Sequence, residues 1–464
     1  MKMKKIGLTV LALFLLWPAA PAQEVPAQAV PAQAALLQVA PPQVASFDRA
    51  RLDASFDKAR LDAYFDALEA ADRFRGSVAL SLNGEVIYSR TVGNSAKCSK
   101  YRIGSISKTF TTVLVMKAFE QGKLAPDQKI DAFFPSVPNA GKITIRHLLS
   151  HRSGIHNFTD DPDYLTWNTE PKDTLEMVAL IAQRGSDFEP GTGVRYSNSN
   201  FVLLTYILEK TFQEPYAELL RQYICEPLGL DNTYMGGKID TLRQECRSYR
   251  YLGEWTLMPQ TDPSIPVGAG SVVSNPEDLN VFAHALFSGR LVKPESLEMM
   301  KTIRDGFGMG LFITPFYERQ GYGHTGGIDG FGAVFTYFPD DNLAYSLTSN
   351  AANFNKNDIS IAVLSAVYGM PYKIPEFVTY PVDPADLDQY TGTYSSYDVP
   401  LKITITRVNN SLIAQATDQS AFPLEPFDKD KFQYEVEGVV LEFDPSEKAM
   451  ILKQRGAELE FFKD

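Results

Sequence analysis

Apolar residues change their spacing along this chain, and each change predicts an element. Over residues 76–92 they alternate with polar ones, Val78 and Leu80 on one arm, Val86 and Tyr88 on the other. Asn83-Gly84 lies between the arms, and period-two alternation around Asn-Gly predicts a β-hairpin. Over residues 105–122 the spacing becomes helical, with Phe110, Val113, Leu114, Met116, Ala118 and Phe119 on the run and Gly122 ending it. Helices are also expected at 145–150, 174–183, 200–210, 216–223 and 276–287, the last with Asn275 as cap and Pro276 in its first turn. Strands return at 332–338 and 343–349. A hairpin, a helical stretch and then further strands make an α+β arrangement rather than a repeating βαβ one. Past Tyr380-Pro381 the texture changes again. Short alternating runs such as Leu401-Ile403-Ile405 and Val439-Leu441-Phe443 predict a small all-β unit, a barrel or sandwich.

The first residues follow another logic. Lys2, Lys4 and Lys5 precede the apolar run from Ile6 to Trp17, and Ala20-Pro21-Ala22 offers a small-x-small cleavage site. This is the pattern of a secretory signal peptide over residues 1–22, with a mature chain exported to the periplasm or medium. No later apolar run is long enough to span a membrane. Residues 23–44 repeat Val-Pro-Ala-Gln and read as a tether. Residues 45–63 hold a nine-residue repeat, Ser46 to Ala54 and Ser55 to Ala63, expected to be a duplicated amphipathic first helix whose last copy packs on the domain. Alternatively the repeat is an assembly segment. A main domain over 64–375 and the β unit over 383–464 complete the layout.

Composition narrows the partners. Hydrophobic residues make up 44% and charged residues 22% of 464, which is ordinary globular usage. A net charge of −12 argues against nucleic acid or an anionic membrane surface. Of three cysteines, Cys225 and Cys246 offer one loop closure, with Cys98 left over, and three free thiols are the alternative.

Three short motifs carry candidate chemistry. Ser105-Ile-Ser-Lys108 opens a predicted helix, where residues three apart share a face and the lysine amine can reach the serine hydroxyl. Free N–H groups at a helix start favour an oxyanion, and a desolvated lysine can take a serine's proton. The same spacing in Ser55-Phe-Asp-Lys58 sits in the charged repeat without partners and is set aside. Tyr196-Ser-Asn198 supplies a phenol, whose pKa a neighbouring ammonium can lower, and an amide that can orient a carbonyl. His324-Thr325-Gly326-Gly327 precedes a predicted strand, and its glycines allow backbone to approach a ligand closely. His147, His151 and His156 could suggest zinc, but residue 148 is Leu where the metalloprotease pattern needs Glu, so no metal or other cofactor is expected. No Gly-x-Ser-x-Gly elbow, P-loop or dinucleotide fingerprint occurs.

Together these motifs resemble the serine β-lactamase and penicillin-binding-protein superfamily, with its Ser-x-x-Lys, polar triplet and Lys-Thr-Gly set. Their form here is similar to the class C β-lactamase branch and its D,D-peptidase and esterase relatives. Tyr101-Arg-Ile-Gly104, the run from His147 to Gly154, and Gly268-Ala-Gly-Ser271 are similar too. The resemblance implies a β-lactamase-like antiparallel sheet with a helical insertion and, after it, a lipocalin-like β domain. It also implies that Ser105 attacks a carbonyl, Lys108 and Tyr196 share the acid and base roles, and Asn198 positions substrate. The oxyanion would lie between the N–H groups of Ser105 and Gly327. His324 stands where true β-lactamases carry lysine, as in D,D-carboxypeptidases and D-aminopeptidases, and a permanent cation for a β-lactam carboxylate is missing.

The expected function is therefore that of an exported serine hydrolase cleaving an amide or ester through an acylated Ser105. The favoured substrate is a D-amino-acid or cell-wall-type peptide, with peptidoglycan as a candidate. A carboxylesterase or β-lactamase is the alternative within the fold. A non-catalytic penicillin- or peptide-binding sensor is the alternative of another class, and intact Ser105, Lys108 and Tyr196 count against it.

Overall fold

The computed structural model describes residues 52, 55–93, 98–377, 380–417 and 419–464. The expected signal peptide, the tether and all of the first repeat copy except Leu52 lie outside them. The described residues up to 377 and those from 380 form two compact units.

The larger unit is built on a six-stranded antiparallel sheet. Its strands are β1 (Phe74–Leu82), β2 (Glu85–Val92), β3 (Phe312–Phe316), β4 (Arg319–Ile328), β5 (Phe331–Phe338) and β6 (Leu343–Ala352). They lie in the order β2-β1-β6-β5-β4-β3, so the opening hairpin is completed by strands from the far end of the unit. Asn83 and Gly84 both take positive φ at the β1–β2 turn, the geometry that Asn-Gly supplies at little cost. Both faces of the sheet are covered. Phe335, Tyr337 and Ala344 face a core shared with the helical region. Phe338, Leu343, Tyr345 and Leu347 face a second core. That second core is closed by α1 (Lys58–Ala70), through Leu61, Tyr64, Phe65 and Leu68. The second repeat copy thus runs into α1, and Ser55 of the discarded Ser-x-x-Lys donates to the Val367 carbonyl.

Between β2 and β3 the chain is largely helical. The central helix α2 (Ser107–Glu120) is buried on nearly every side, and Phe110 stacks on Phe282 at 3.9 Å between ring centres. A 3₁₀ turn over Gly104–Ile106 precedes it, so the regular helix begins two residues after the expected start. α3 (Asn198–Phe212) exceeds its expected span by two residues at each end. α4 (Pro276–Phe287) matches expectation, with Asn275 accepting from the Asp278 N–H at 2.8 Å. The expected helix at 216–223 is interrupted. After Tyr216–Leu220 the chain widens into a π-turn over Arg221–Cys225. Pro227 has no N–H and crowds the carbonyl four residues back, which a wider turn relieves. α5 (Lys356–Val367) and strands β3 and β4 had no counterpart among the expected elements.

The cysteine pairing corrects the sequence reading. Cys98 bonds to Cys246, and Cys225 is the buried free thiol, its pKa pushed up to about 12 by burial. The reason is local pairing, since Lys100 bridges Glu245 and the Cys246 N–H donates to the Lys100 carbonyl at 2.9 Å. The bond closes a loop of sequence separation 148 and clamps the segment leading to Tyr101. Cys246→Ser is expected to lower stability by about 2–5 kcal/mol. The midpoint of urea unfolding reads this, and an unchanged midpoint counts against the bond.

The second unit is a closed barrel of eight strands: β7 (Gly392–Ser395), β8 (Lys402–Val408), β9 (Ser411–Ala416), β10 (Phe422–Asp428), β11 (Lys431–Tyr434), β12 (Val439–Asp444), β13 (Ala449–Gln454) and β14 (Ala457–Lys463). Alternate residues such as Ile403, Ile405, Leu412, Leu441, Leu452 and Phe461 fill its interior. Closure removes the open edges that a small sheet would otherwise expose.

Candidate active site

Ser105 sits in the 3₁₀ turn between a short strand, Tyr101–Arg102, and α2. Two glycines allow this turn to press against the edge of the main sheet. Gly104 has φ +52°, and a Cβ there would lie 2.7 Å from the Gly327 nitrogen. A Cβ on Gly326 would overlap the Ile103 carbonyl oxygen and lie 3.1 Å from the Ser105 nitrogen. Strand β3 pairs with β4 only as far as Gly323, so residues 324–328 of β4 keep an edge open on that side. The backbones of Ser105 and Gly327 therefore meet at an unpaired strand edge, where N–H groups can serve a ligand oxygen.

The side chains converge on one atom. Lys108 Nζ lies 3.0 Å from Ser105 Oγ, and the Tyr196 hydroxyl donates to the same oxygen at 2.8 Å. Lys108 also donates to Asn198 Oδ1 at 2.8 Å and to the Ala269 carbonyl at 2.7 Å. Its side chain is fully buried, its amine 5.0 Å from the centre of the Tyr196 ring and 5.7 Å from that of Phe201. Burial without a carboxylate pushes the amine well below the usual lysine range. The Ala269 carbonyl is held in turn, because Thr111 donates to the neighbouring Gly268 carbonyl at 2.7 Å and pairs with Tyr216 at 2.8 Å.

Tyr196 corrects an expectation. Its phenol is raised above the ordinary value by burial, opposed in part by the hydrogen bond to Ser105, rather than lowered by an ammonium. Burial disfavours charge on Lys108 as well, so the neutral phenol is the favoured form beside it. Asn198 starts α3, and its amide is fixed at both ends, Nδ2 donating to Thr159 Oγ1 at 3.0 Å. Asn157 supports this loop, accepting from the Asn198 N–H at 2.9 Å and donating to Thr159 and Asp160.

His324, Thr325, Gly326 and Gly327 lie within β4, where Thr325 and Gly327 are exposed and His324 is buried. His324 Nδ1 donates to the Thr325 carbonyl at 2.5 Å, and its ring packs on Phe312. Burial above all pushes its pKa down to about 3, so it is a neutral group at physiological pH. The histidines weighed for zinc separate. His147 closes a capping box with Thr144, His151 is buried against Tyr196, and His156 pairs with Asp161 and Asp187.

All eight residues drawn from the three motifs lie in this one region. Sequence reasoning missed Asn157, Thr159, the Ala269 carbonyl, Phe312 and the contact between His151 and Tyr196. His151 and Ala269 stand inside two of the runs that carry the resemblance, 147–154 and 268–271, but nothing in their spacing points at Tyr196 or Lys108.

A family model described as Beta-lactamase matches residues 61–369. Penicillin-binding protein 4* of Bacillus subtilis (strain 168) is 27% identical over 435 residues, covering 84% of this chain and 94% of that protein. Teichoic acid D-alanine hydrolase of Staphylococcus aureus (strain MRSA252) is 24% identical over 299 residues, 61% of this chain and 72% of that one. Among solved structures, a D-stereospecific amidohydrolase from Streptomyces sp. is similar with a TM-score of 0.57 and 29% identity, covering 63% of this chain and 94% of that chain.

Proposed function

The chain belongs to the Beta-lactamase family and is a serine hydrolase, and from that premise we propose that it is exported and cleaves D-amino-acid or cell-wall-type peptides through an acyl-enzyme on Ser105. The observation that carries this reading is the environment of Lys108 Nζ. Two of its three polar neighbours, Asn198 Oδ1 and the Ala269 carbonyl, can only accept. A neutral amine has two N–H donors and one lone pair. With both donors engaged, the lone pair is left for the Ser105 hydroxyl. Lys108 is thus the general base of acylation.

As Ser105 Oγ bonds to the substrate carbonyl carbon, its proton passes to Lys108. Charge developing on the carbonyl oxygen is met by the N–H groups of Ser105 and Gly327. As the bond from the carbonyl carbon to the leaving nitrogen or oxygen breaks, the protonated phenol of Tyr196 donates to the departing amine or alkoxide, and the proton held by Lys108 then passes to the phenolate. Water then attacks the ester in the reverse sense, leaving acid and free Ser105. Asn198, fixed by Lys108 and Thr159, has its second amide hydrogen available for the substrate's own carbonyl.

The relatives named for D-alanine and D-stereospecific chemistry support the substrate class. The neutral His324 weighs against efficient β-lactam turnover, since it supplies no charge to a carboxylate. Export is supported by the basic-apolar start at Lys2 to Trp17, and the Cys98–Cys246 bond suits an oxidising compartment. The proposed layout keeps 64–375 as the hydrolase and 383–464 as the appended β domain.

The test has two arms. Intact mass after incubation with benzylpenicillin is expected to show a persistent adduct. Turnover of D-alanine p-nitroanilide is expected to exceed that of the L form by about tenfold or more. Equal rates on the two enantiomers, with no adduct, would remove the D-peptide reading.

A further inference from the structure

His151 has no part in the chemistry above, yet three of its contacts bracket Tyr196. Its carbonyl accepts from the Arg195 N–H at 3.0 Å. Its ring Nδ1 accepts from the Ser197 N–H at 3.1 Å. Its face stacks on the Tyr196 ring, with centres 4.5 Å apart and planes at 30°. One residue therefore touches 195, 196 and 197 in turn, through three different groups. Phe201 and Phe307 enclose the imidazole on other sides, each 5.4 Å away between centres.

The backbone at this position is uncommon for a residue other than glycine. His151 has φ +57°, in the left-handed region where glycine or asparagine sits more easily. Buried strain of this kind persists where the surroundings over-determine it, and here what they hold is the ring against Tyr196. An Nδ1 that accepts a backbone N–H carries no proton, so the ring hydrogen is on Nε2. Burial disfavours a second proton, and an imidazolium could not accept from Ser197.

We propose that His151 is the positioning residue for Tyr196, its stacked ring, its Nδ1 acceptor and its carbonyl together fixing the phenol on the line to Ser105. This rests on the acyl-enzyme reading above. Tyr196 is reached by a loop, and its hydroxyl has one partner at hydrogen-bond range among the described side chains. Without His151 behind the ring, that single bond would have to set the phenol's direction with only the Lys108 amine at 5.0 Å and the Phe307 ring at 6.4 Å beside it. Small errors in the placement of an acid–base group cost large factors in rate.

A double-mutant cycle tests the inference with the full-length protein and a fluorophosphonate probe, whose phosphorus bonds to Ser105 Oγ as fluoride leaves. His151→Asn suits the left-handed backbone and keeps an acceptor while losing the stacked ring. His151→Phe keeps the ring and loses the acceptor. Each is expected to slow labelling about tenfold or more when Tyr196 is present, and less than twofold in a Tyr196→Phe background. Thermal melting checks that each variant folds, and His151→Asn carries the test if the phenylalanine variant does not. Equal slowing in both backgrounds would make His151 merely structural and overturn the proposal, as would no slowing. A wild type that is not labelled at Ser105 at all would defeat the acyl-enzyme reading itself, a separate result.

Discussion

Ser105→Ala is expected to lower hydrolysis of a D-amino-acid amide by about 10³-fold or more and to abolish the penicillin adduct, with folding unchanged. The magnitude follows from the chemistry. Without the hydroxyl no acyl-enzyme forms, and only substrate binding and the oxyanion N–H groups remain to assist water. Alanine fits the same turn, because Gly104 and not Ser105 takes the left-handed conformation that admits β4. The lost Oγ leaves Lys108 with two acceptors still in place, Asn198 Oδ1 and the Ala269 carbonyl, so the buried amine keeps its anchors. Substrate turnover and intact mass on matched samples check the result. Retained turnover would move the nucleophile elsewhere, and a shared loss of melting temperature would make the variant uninformative about chemistry, which Ser105→Cys then resolves by its own adduct.

Acidification is expected to cost the hydrolase unit stability through His324. The unfolded chain takes up its imidazole proton near the ordinary value of 6.5, while the folded chain does so only near 3. Between those values the unfolded state binds more protons, so stability rises with pH and falls as pH is lowered. The loss begins near pH 6.5 and is complete near pH 3. Between pH 7 and 4.5 it amounts to about 2–3 kcal/mol, at about 1.4 kcal/mol per unit. Urea unfolding at the two pH values, wild type beside His324→Gln, isolates the contribution, because glutamine does not titrate. An equal fall in both proteins would assign acid sensitivity to other groups.

The parts of the fold that were legible in the sequence are those whose signal is local. Asn83-Gly84 and Asn275-Pro276 specify a turn and a helix start by backbone preference alone, and both stand where expected. Ser105 and Lys108 were legible as a pair because a helical start sets their separation. Strand β4 was not. Its sequence, Arg-Gln-Gly-Tyr-Gly-His-Thr-Gly-Gly-Ile, has no apolar alternation, since Gly326 answers to the close approach of Ile103 and Ser105, and Gly321 and Gly323 to that of Thr314, Thr336 and the Phe335 backbone. Its strand character comes from pairing with β5. The supports of the candidate site were illegible for a related reason. Asn157, Thr159 and His151 act on Tyr196 and Asn198 from some forty positions away, and only the folded chain brings them together. The Cys98–Cys246 bond joins residues farther apart still, which is why counting cysteines left the pairing open.

The central pairing of β1 with β6 matches Phe74 to Ala352 at one end and Leu82 to Leu343 at the other. Strand β4, which presents Gly327 to Ser105, reaches β1 only through β5 and β6. A ribosome that has released the hairpin and the helical region has therefore made the nucleophile but not the edge it works against. Closing such a distant pairing is slow compared with forming helices, and the waiting hairpin exposes a strand edge to other chains. The emerging protein thus lacks a complete site until almost the whole unit is available to fold, and its window for misassembly spans the same interval.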